Sequence, residues 1–344
     1  MVPTVVDDLV VDPTAGLPAL SPTPVRRLTA EQLGRKPPPP PEGDARPASA
    51  MQESELAPDD PYLTATDALL ETFGGVIFEG PPGTSKTWYA REIALALTGG
   101  REDLVRFVQF HPSYQYEDFV QGYVPTAAGR FELVPKHLLQ LCKVAKDHPG
   151  EWVVLVIDEL SRGDPARVFG EALTYVEYSK REMEFHLAGG TVCSIPGNLR
   201  FLATMNPMDR GVDEVDAAFE RRFAKIRMEP DPELLERHLT EIGMEDALRE
   251  RVLTFLRMVI GQSGGNPYAA IGHTYFFNIT DEVGLRSLWA HQLQFVFEKA
   301  YRLDHEGYER VARAWQRVVV SEPGAQENPG EDSDLSTEEP SAPA

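Results

Sequence analysis

Cysteine is almost absent from this 344-residue sequence: Cys142 and Cys193 stand alone. Two such distant thiols exclude a disulfide framework and a paired-cysteine metal site, and fit a reducing compartment. Long apolar runs are missing too, since no stretch reaches the roughly 18 to 20 residues of a membrane-spanning helix. The first residues carry Asp7 and Asp8 and no basic start before an apolar run, so they do not read as a secretory signal. Cations are scarce, with 33 Lys and Arg against 54 Asp and Glu and a net charge of -21. That balance excludes a chain whose whole surface binds nucleic acid or anionic membrane, though not a local basic patch. The expectation is a cytoplasmic protein without a membrane partner.

What is present divides along the chain. A hydrophobic share of 42% is enough for a real core, and the length allows two domains. The 29 prolines crowd toward the ends, with Pro37 to Pro41 in an unbroken row. Residues 1–58 read as a disordered Pro-rich arm, because such a composition cannot repay its ordering entropy. After Val320 come Glu322, Glu327, Glu331, Asp332, Asp334, Glu338 and Glu339 with no Lys or Arg, a disordered acidic tail over 321–344.

Between the tails, residues 59–230 alternate short apolar runs with helical patterns. Val76 to Phe78, Val105 to Phe110, Trp152 to Ile157 and Leu199 to Met205 read as buried strands. Tyr62 to Phe73, Thr87 to Leu97, Leu138 to Ala145 and Val168 to Tyr178 read as helices. Strands alternating with helices predict an α/β fold, a parallel sheet between helical layers. A hairpin is expected over 184–196. From 231 to 320 the apolar residues recur at helical spacing, including Leu285 to Tyr301, and predict a small all-helical lid.

The segment Gly80-Pro81-Pro82-Gly83-Thr84-Ser85-Lys86-Thr87 follows a predicted strand and opens a predicted helix, the context a phosphate-binding loop requires. In such a loop backbone N–H groups and the helix N-terminus face the phosphates, the lysine reaches their oxygens and the threonine ligates Mg2+. Ser85 stands where the pattern has glycine. Val153 to Ile157 ends in Asp158 and Glu159: one carboxylate to hold Mg2+, the other to polarise an attacking water. Acids capping the next helix are the plainer alternative. Phe201 to Met205 ends in Asn206, which would sit beside those acids, with Asp209 following. A bare Asn-Pro turn is the alternative there. Arg162, Arg221 and Arg222 are candidates to offset transition-state charge, and for each a surface salt bridge is equally open.

Taken in order, these motifs resemble AAA+ ATPases of the dynein-related subfamily, the P-loop NTPase three-layer sandwich followed by a helical lid. Within the subfamily the likeness is to the McrB subunit of methyl-directed restriction systems. It rests on Phe110 to Tyr123, Ile157 to Asp164, Val168 to Glu171, Met205-Asn206-Pro207-Met208-Asp209-Arg210 and Ile271-Gly272-His273-Thr274-Tyr275-Phe276. The resemblance implies a homo-oligomeric, hexameric ring with nucleotide between subunits, so that one of the three arginines acts across an interface. It also implies a protein partner, a nuclease or a client, and leaves direct DNA contact open. Pro207 and Met208 depart from the restriction members and match ATP-using relatives, favouring ATP with Mg2+ over the alternative GTP. Residues 1–58 are too short for the N-terminal DNA-reading domain of restriction members. The lid offers no arginine as a second sensor; His273 lies near that region, with a packed histidine as the plainer reading. A MoxR-like chaperone ATPase and a nucleotide-gated scaffold with little turnover are the competing functions.

Overall fold

The computed structural model describes residues 4–6, 9–11, 25–26, 52–127, 129–208 and 217–319. The chain divides into two units, Met1–Ala48 and Ser49–Ala344. In the first, β1 (Thr4–Val6), β2 (Leu9–Val11) and β3 (Val25–Arg26) pair antiparallel in that order. They fall inside the segment expected to be a disordered arm. The Pro37–Pro41 row and the expected acidic tail lie outside the described residues. The arm's expected end at residue 58 shifts toward the N-terminus, because Gln52 N–H donates to Gly100 O at 2.9 Å and Glu55 N–H to Glu92 Oε2 at 2.7 Å. Glu92 is buried, and a buried carboxylate needs such a donor.

The second unit begins with α1 (Pro61–Leu70), whose first turn is capped by Asp60 Oδ1 accepting from Tyr62 and Leu63 N–H. There follow β4 (Gly75–Glu79), α2 (Lys86–Leu97), β5 (Val105–Gln109) and α3 (Tyr116–Phe119). A hairpin of β6 (Gln121–Pro125) and β7 (Phe131–Pro135) leads to α4 (His137–Asp147) and β8 (Val153–Asp158). Then come α5 (Pro165–Phe169), α6 (Leu173–Val176) and the expected second hairpin, β9 (Phe185–His186) with β10 (Val192–Cys193). The two hairpins touch: a Cβ at Gly189 would press on Leu133 Cδ2 at 2.6 Å and Gln121 Nε2 at 3.0 Å. β11 (Leu199–Met205), α7 (Ala217–Glu220) and β12 (Phe223–Arg227) complete this half.

Five strands form the main sheet in the order β12-β4-β11-β8-β5, every neighbouring pair parallel. Side chains alternate across it. Val76, Phe78, Val154, Val156 and Leu202 pack with Leu70, Ala90 and Ile93 of α1 and α2, while Ile77, Leu155, Ile157, Phe201 and Ala203 face Leu138 and Leu141 of α4. Helices thus cover both faces, the three-layer arrangement expected. Arg181 stitches the opposite end of the sheet from the loop after β4, donating to the carbonyls of Val176, Pro196, Leu199 and Gly74 at 2.8, 3.2, 2.7 and 2.8 Å. Burial, with Arg200 nearby, pulls its pKa down to about 10.

One expectation is corrected. Val168 to Tyr178 is not one helix: Gly170 at φ 52° separates α5 from a 3-10 turn and α6, where the Tyr116 ring lies against it. Leu285 to Ala300 is helical as its spacing predicts, with one π-helical turn inside it. The lid comprises α8 (Pro232–Glu241), α9 (Asp246–Ser263), α10 (Glu282–Leu288), α11 (Gln294–Ala300) and α12 (His305–Val319), and a π-helical turn, Trp289–Leu293, joins α10 to α11. The lid has its own apolar core, with Val252, Leu256, Phe297 and Trp315 inside. Among the described residues no helix is long and apolar enough to cross a membrane. Both cysteines are free, and burial pushes the Cys142 thiol to about 12 and Cys193 to about 11, which keeps them protonated and unreactive.

Candidate nucleotide-binding site

The sheet order decides what meets what. β4 runs into the loop Gly80–Thr87; its neighbour β11 ends at Met205, paired with Glu79, and delivers Asn206 beside the loop. β8, on the far side of β11, ends at Asp158. Three parallel strands therefore deliver the loop, the amide and the acids to one edge, the place where open α/β sheets bind ligands.

The loop is built to take an anion. Gly83 at φ 82° and Ser85 at φ 63° sit in the left-handed region, and α2 starts immediately after Ser85. For Gly83 this conformation is free; for Ser85 it costs on the order of 1 kcal/mol, which the surroundings must offset. Thr84 is buried, and its hydroxyl donates to Pro81 O at 3.0 Å. Lys86 Nζ donates to the same carbonyl at 2.7 Å, which lays the ammonium across the loop.

At the acidic strand end, Thr87 Oγ1 donates to Asp158 Oδ1 at 2.9 Å, and Thr204 Oγ1 donates to the same oxygen at 2.5 Å. Thr204 also accepts the Glu159 N–H at 3.2 Å. Its one hydroxyl therefore fixes both acids. Glu159 needs that help, because it is itself held at φ 54°, a strained conformation for a non-glycine residue. Its carboxylate receives Arg162 Nε at 3.4 Å. Asn206 Oδ1 accepts the Met208 N–H at 3.1 Å, so Pro207 turns the chain while the amide stays at the strand end.

Gly83 to Thr87, Glu159, Arg162, Thr204, Asn206 and, from the lid, Thr274 line one cavity of about 340 Å³, and Asp158 joins it through its hydrogen bonds to Thr87 and Thr204. A hydroxyl and a carboxylate 2.9 Å apart are the hard oxygen ligands that Mg2+ takes, with phosphate and water completing its shell. Among the described residues no cluster of three or more His, Cys, Asp or Glu is placed to cage a metal.

Residues 75–223 match the family model described as AAA domain (dynein-related subfamily). Over these residues the chain is similar to the AAA domains of the dynein-related subfamily. It is 37% identical over 162 residues to the Type IV methyl-directed restriction enzyme EcoKMcrB subunit of Escherichia coli (strain K12), a match covering 45% of this chain and 35% of that protein. It is 23% identical over 188 residues to the Type II restriction enzyme BsuMI component YdiS of Bacillus subtilis (strain 168), covering 43% of this chain and 55% of the relative. The chain thus spans about a third and about half of the length of these relatives. A solved structure of a candidate ATPase from Cytophaga hutchinsonii is also similar, at 15% identity and a TM-score of 0.34, covering 74% of this chain and 89% of that one.

Within residues 75–223, Arg162 is the expected arginine that shares the cavity. Arg221 and Arg222 precede β12, whose Phe223 pairs with Gly75 at the start of β4. They therefore lie one strand length, roughly 16 Å, from the loop of their own chain. Arg222 is only 6% exposed, whereas Arg221 is open to solvent. Asp209 and Arg210 lie outside the described residues.

One contributor escaped the sequence reading, and another was read without its partner. Thr204 was passed over as part of an apolar strand, though a lone hydroxyl two positions before Asn206 was the available signal. His273 is buried as the plainer reading had it, at 2% exposed, yet its Nε2 lies 2.9 Å from Ser85 Oγ, the one departure from the loop pattern.

Proposed function

We propose that this chain binds and hydrolyses ATP with Mg2+, that it works as a hexameric ring, and that turnover remodels or regulates a protein partner such as a nuclease. The observation that supports this best is the meeting of Lys86, Thr87, Glu159 and Asn206 around one cavity at one sheet edge, with Asp158 bonded to Thr87 there. The loop amides and Lys86 would hold the β- and γ-phosphates. Thr87 and Asp158 would hold the ion, which when bound neutralises charge on the phosphate oxygens. Glu159 takes the proton of the attacking water, with Arg162 orienting its carboxylate, and Asn206 positions that water. Asp209, three positions after Asn206 in the sequence, would assist.

Arg221 suits a different role. Its exposure and its place at the far end of the sheet fit a cation offered to a neighbouring subunit's phosphates, and this is what favours the ring. The two relatives carry restriction-enzyme names, which is why a nuclease heads the choice of partner.

The test is phosphate release by the purified protein with ATP or GTP and Mg2+, set against Glu159→Gln and Lys86→Ala. Glu159→Gln is expected to retain nucleotide and lose turnover by about 100-fold or more, and Lys86→Ala to lose binding. Equal, near-zero release by the wild type and Glu159→Gln would replace catalysis with a nucleotide-gated scaffold. Co-purification with the product of an adjacent gene separates a nuclease partner from the client of a chaperone.

A further inference from the structure

The phosphate-binding loop is gripped from outside by the lid. Gly272 N–H donates to Pro82 O at 2.8 Å and Thr274 N–H donates to Gly83 O at 3.0 Å. A trans peptide points its C=O and N–H in opposite directions. Drawing the Pro82 and Gly83 carbonyls toward the lid therefore turns the N–H groups of Gly83 and Thr84 the other way, away from the lid. The approach leaves no room for a side chain at Gly272, where a Cβ would collide with Gly83 O.

Between these two backbone bonds sits His273. Its Nδ1 accepts the Asp231 N–H at 3.0 Å, at the N-cap of α8. A neutral ring that accepts at Nδ1 carries its proton on Nε2, so Nε2–H donates to Ser85 Oγ, 2.9 Å away. Burial draws the His273 pKa below its ordinary value against the pull of the Asp231 carboxylate, which keeps the ring neutral. Ser85 is also the residue held at φ 63° where the loop pattern has glycine. One imidazole thus links the strained loop residue, the lid and the start of α8.

We propose that the lid assembles the phosphate site: the Ser85–His273 hydrogen bond, with its two backbone neighbours, holds the loop in the shape that accepts a triphosphate. His273 is then a positioning residue that acts through Ser85 without touching nucleotide. This rests on the nucleotide reading of the loop, and the experiment separates the two.

Binding of a non-hydrolysable ATP analogue with Mg2+ is measured by calorimetry, and amide exchange at Gly272 and Thr274 is followed in ligand-free protein. Ser85→Ala and His273→Ala are each expected to weaken binding about tenfold, the equivalent of one hydrogen bond, and the double variant no more than either. In a Ser85→Gly background, His273→Ala is expected to change affinity less than about twofold, since no hydroxyl remains for the ring to hold. His273→Gln, whose amide can donate to Ser85, restores binding to within about threefold of wild type and covers the case in which the alanine variant does not fold. Exchange at Gly272 and Thr274 is expected to speed up about tenfold or more in Ser85→Ala. Additive losses in the double variant, or single variants that bind as wild type does, overturn the proposal. Wild-type protein that binds no analogue sinks the nucleotide reading; unchanged exchange at the two amides sinks the lid contact whether or not nucleotide binds.

Discussion

Replacing Thr204 by valine keeps the shape of a residue that is 2% exposed and removes a single oxygen. That oxygen donates to Asp158 Oδ1 at 2.5 Å and accepts from Glu159 N–H at 3.2 Å. A hydrogen bond to an ionised carboxylate contributes about 1.5–3 kcal/mol, and a buried backbone N–H left unpaired costs about 1–3 kcal/mol. Asp158 keeps Thr87 as a partner, so the net loss is expected toward the low end, about 2–4 kcal/mol. At roughly 2–4 °C per kcal/mol for a domain of this size, the melting temperature of Thr204→Val should fall by about 4–16 °C. Turnover should fall further than stability alone explains, because Glu159 loses the contact that holds it at positive φ. Thr204→Ser, which retains the oxygen, is the control for lost packing. Urea unfolding and phosphate release on the three proteins provide the check. A valine variant within about 0.5 kcal/mol of wild type, with unchanged turnover, would refute the assignment of Thr204 as the brace of both acids.

Three other outcomes are expected. Arg181→Met should lose about 3–5 kcal/mol in chemical denaturation, since four carbonyls lose a buried charged donor at once and, of them, Pro196 O keeps the Leu199 N–H. Arg221→Ala should leave the urea midpoint unchanged and lower turnover chiefly at protein concentrations where assemblies form, while Arg222→Ala, at a buried position, should lower stability. Stability should decline as pH falls below about 6.5: burial depresses the folded pKa of His273, and of His137, from the ordinary 6.5, so the unfolded chain takes up protons that the folded one refuses. The contribution is fully present above that pH and lost on acidification, and His273→Gln should lessen the fall of the urea midpoint below about pH 6.5.

Strands with uninterrupted apolar runs were legible because burial on both faces writes itself into composition, as in Val153 to Ile157 and Leu199 to Met205. β12 was not, for it is a short edge strand whose Lys225 and Arg227 face outward and imitate a loop. The hairpin β6–β7 escaped for a related reason. It lies off the main sheet with Tyr123 and Phe131 exposed, and prolines end both of its strands. At the site, the phosphate loop, Asp158, Glu159 and Asn206 could be read from motif and order. Distance in sequence hid the Ser85–His273 contact, which joins residues 188 positions apart. Only the docking of the lid makes them neighbours.

The contact between the two hairpins has a bearing on how this scaffold can be re-equipped. Both hang on connections outside the five-stranded sheet, so their sequences can change without shifting any strand that carries a site residue. Yet Gly189 of one is pressed against Leu133 and Gln121 of the other. A chimera that transplants the pair together keeps this seam intact, whereas one that exchanges a single hairpin has to rebuild it around a glycine with no side chain to spare.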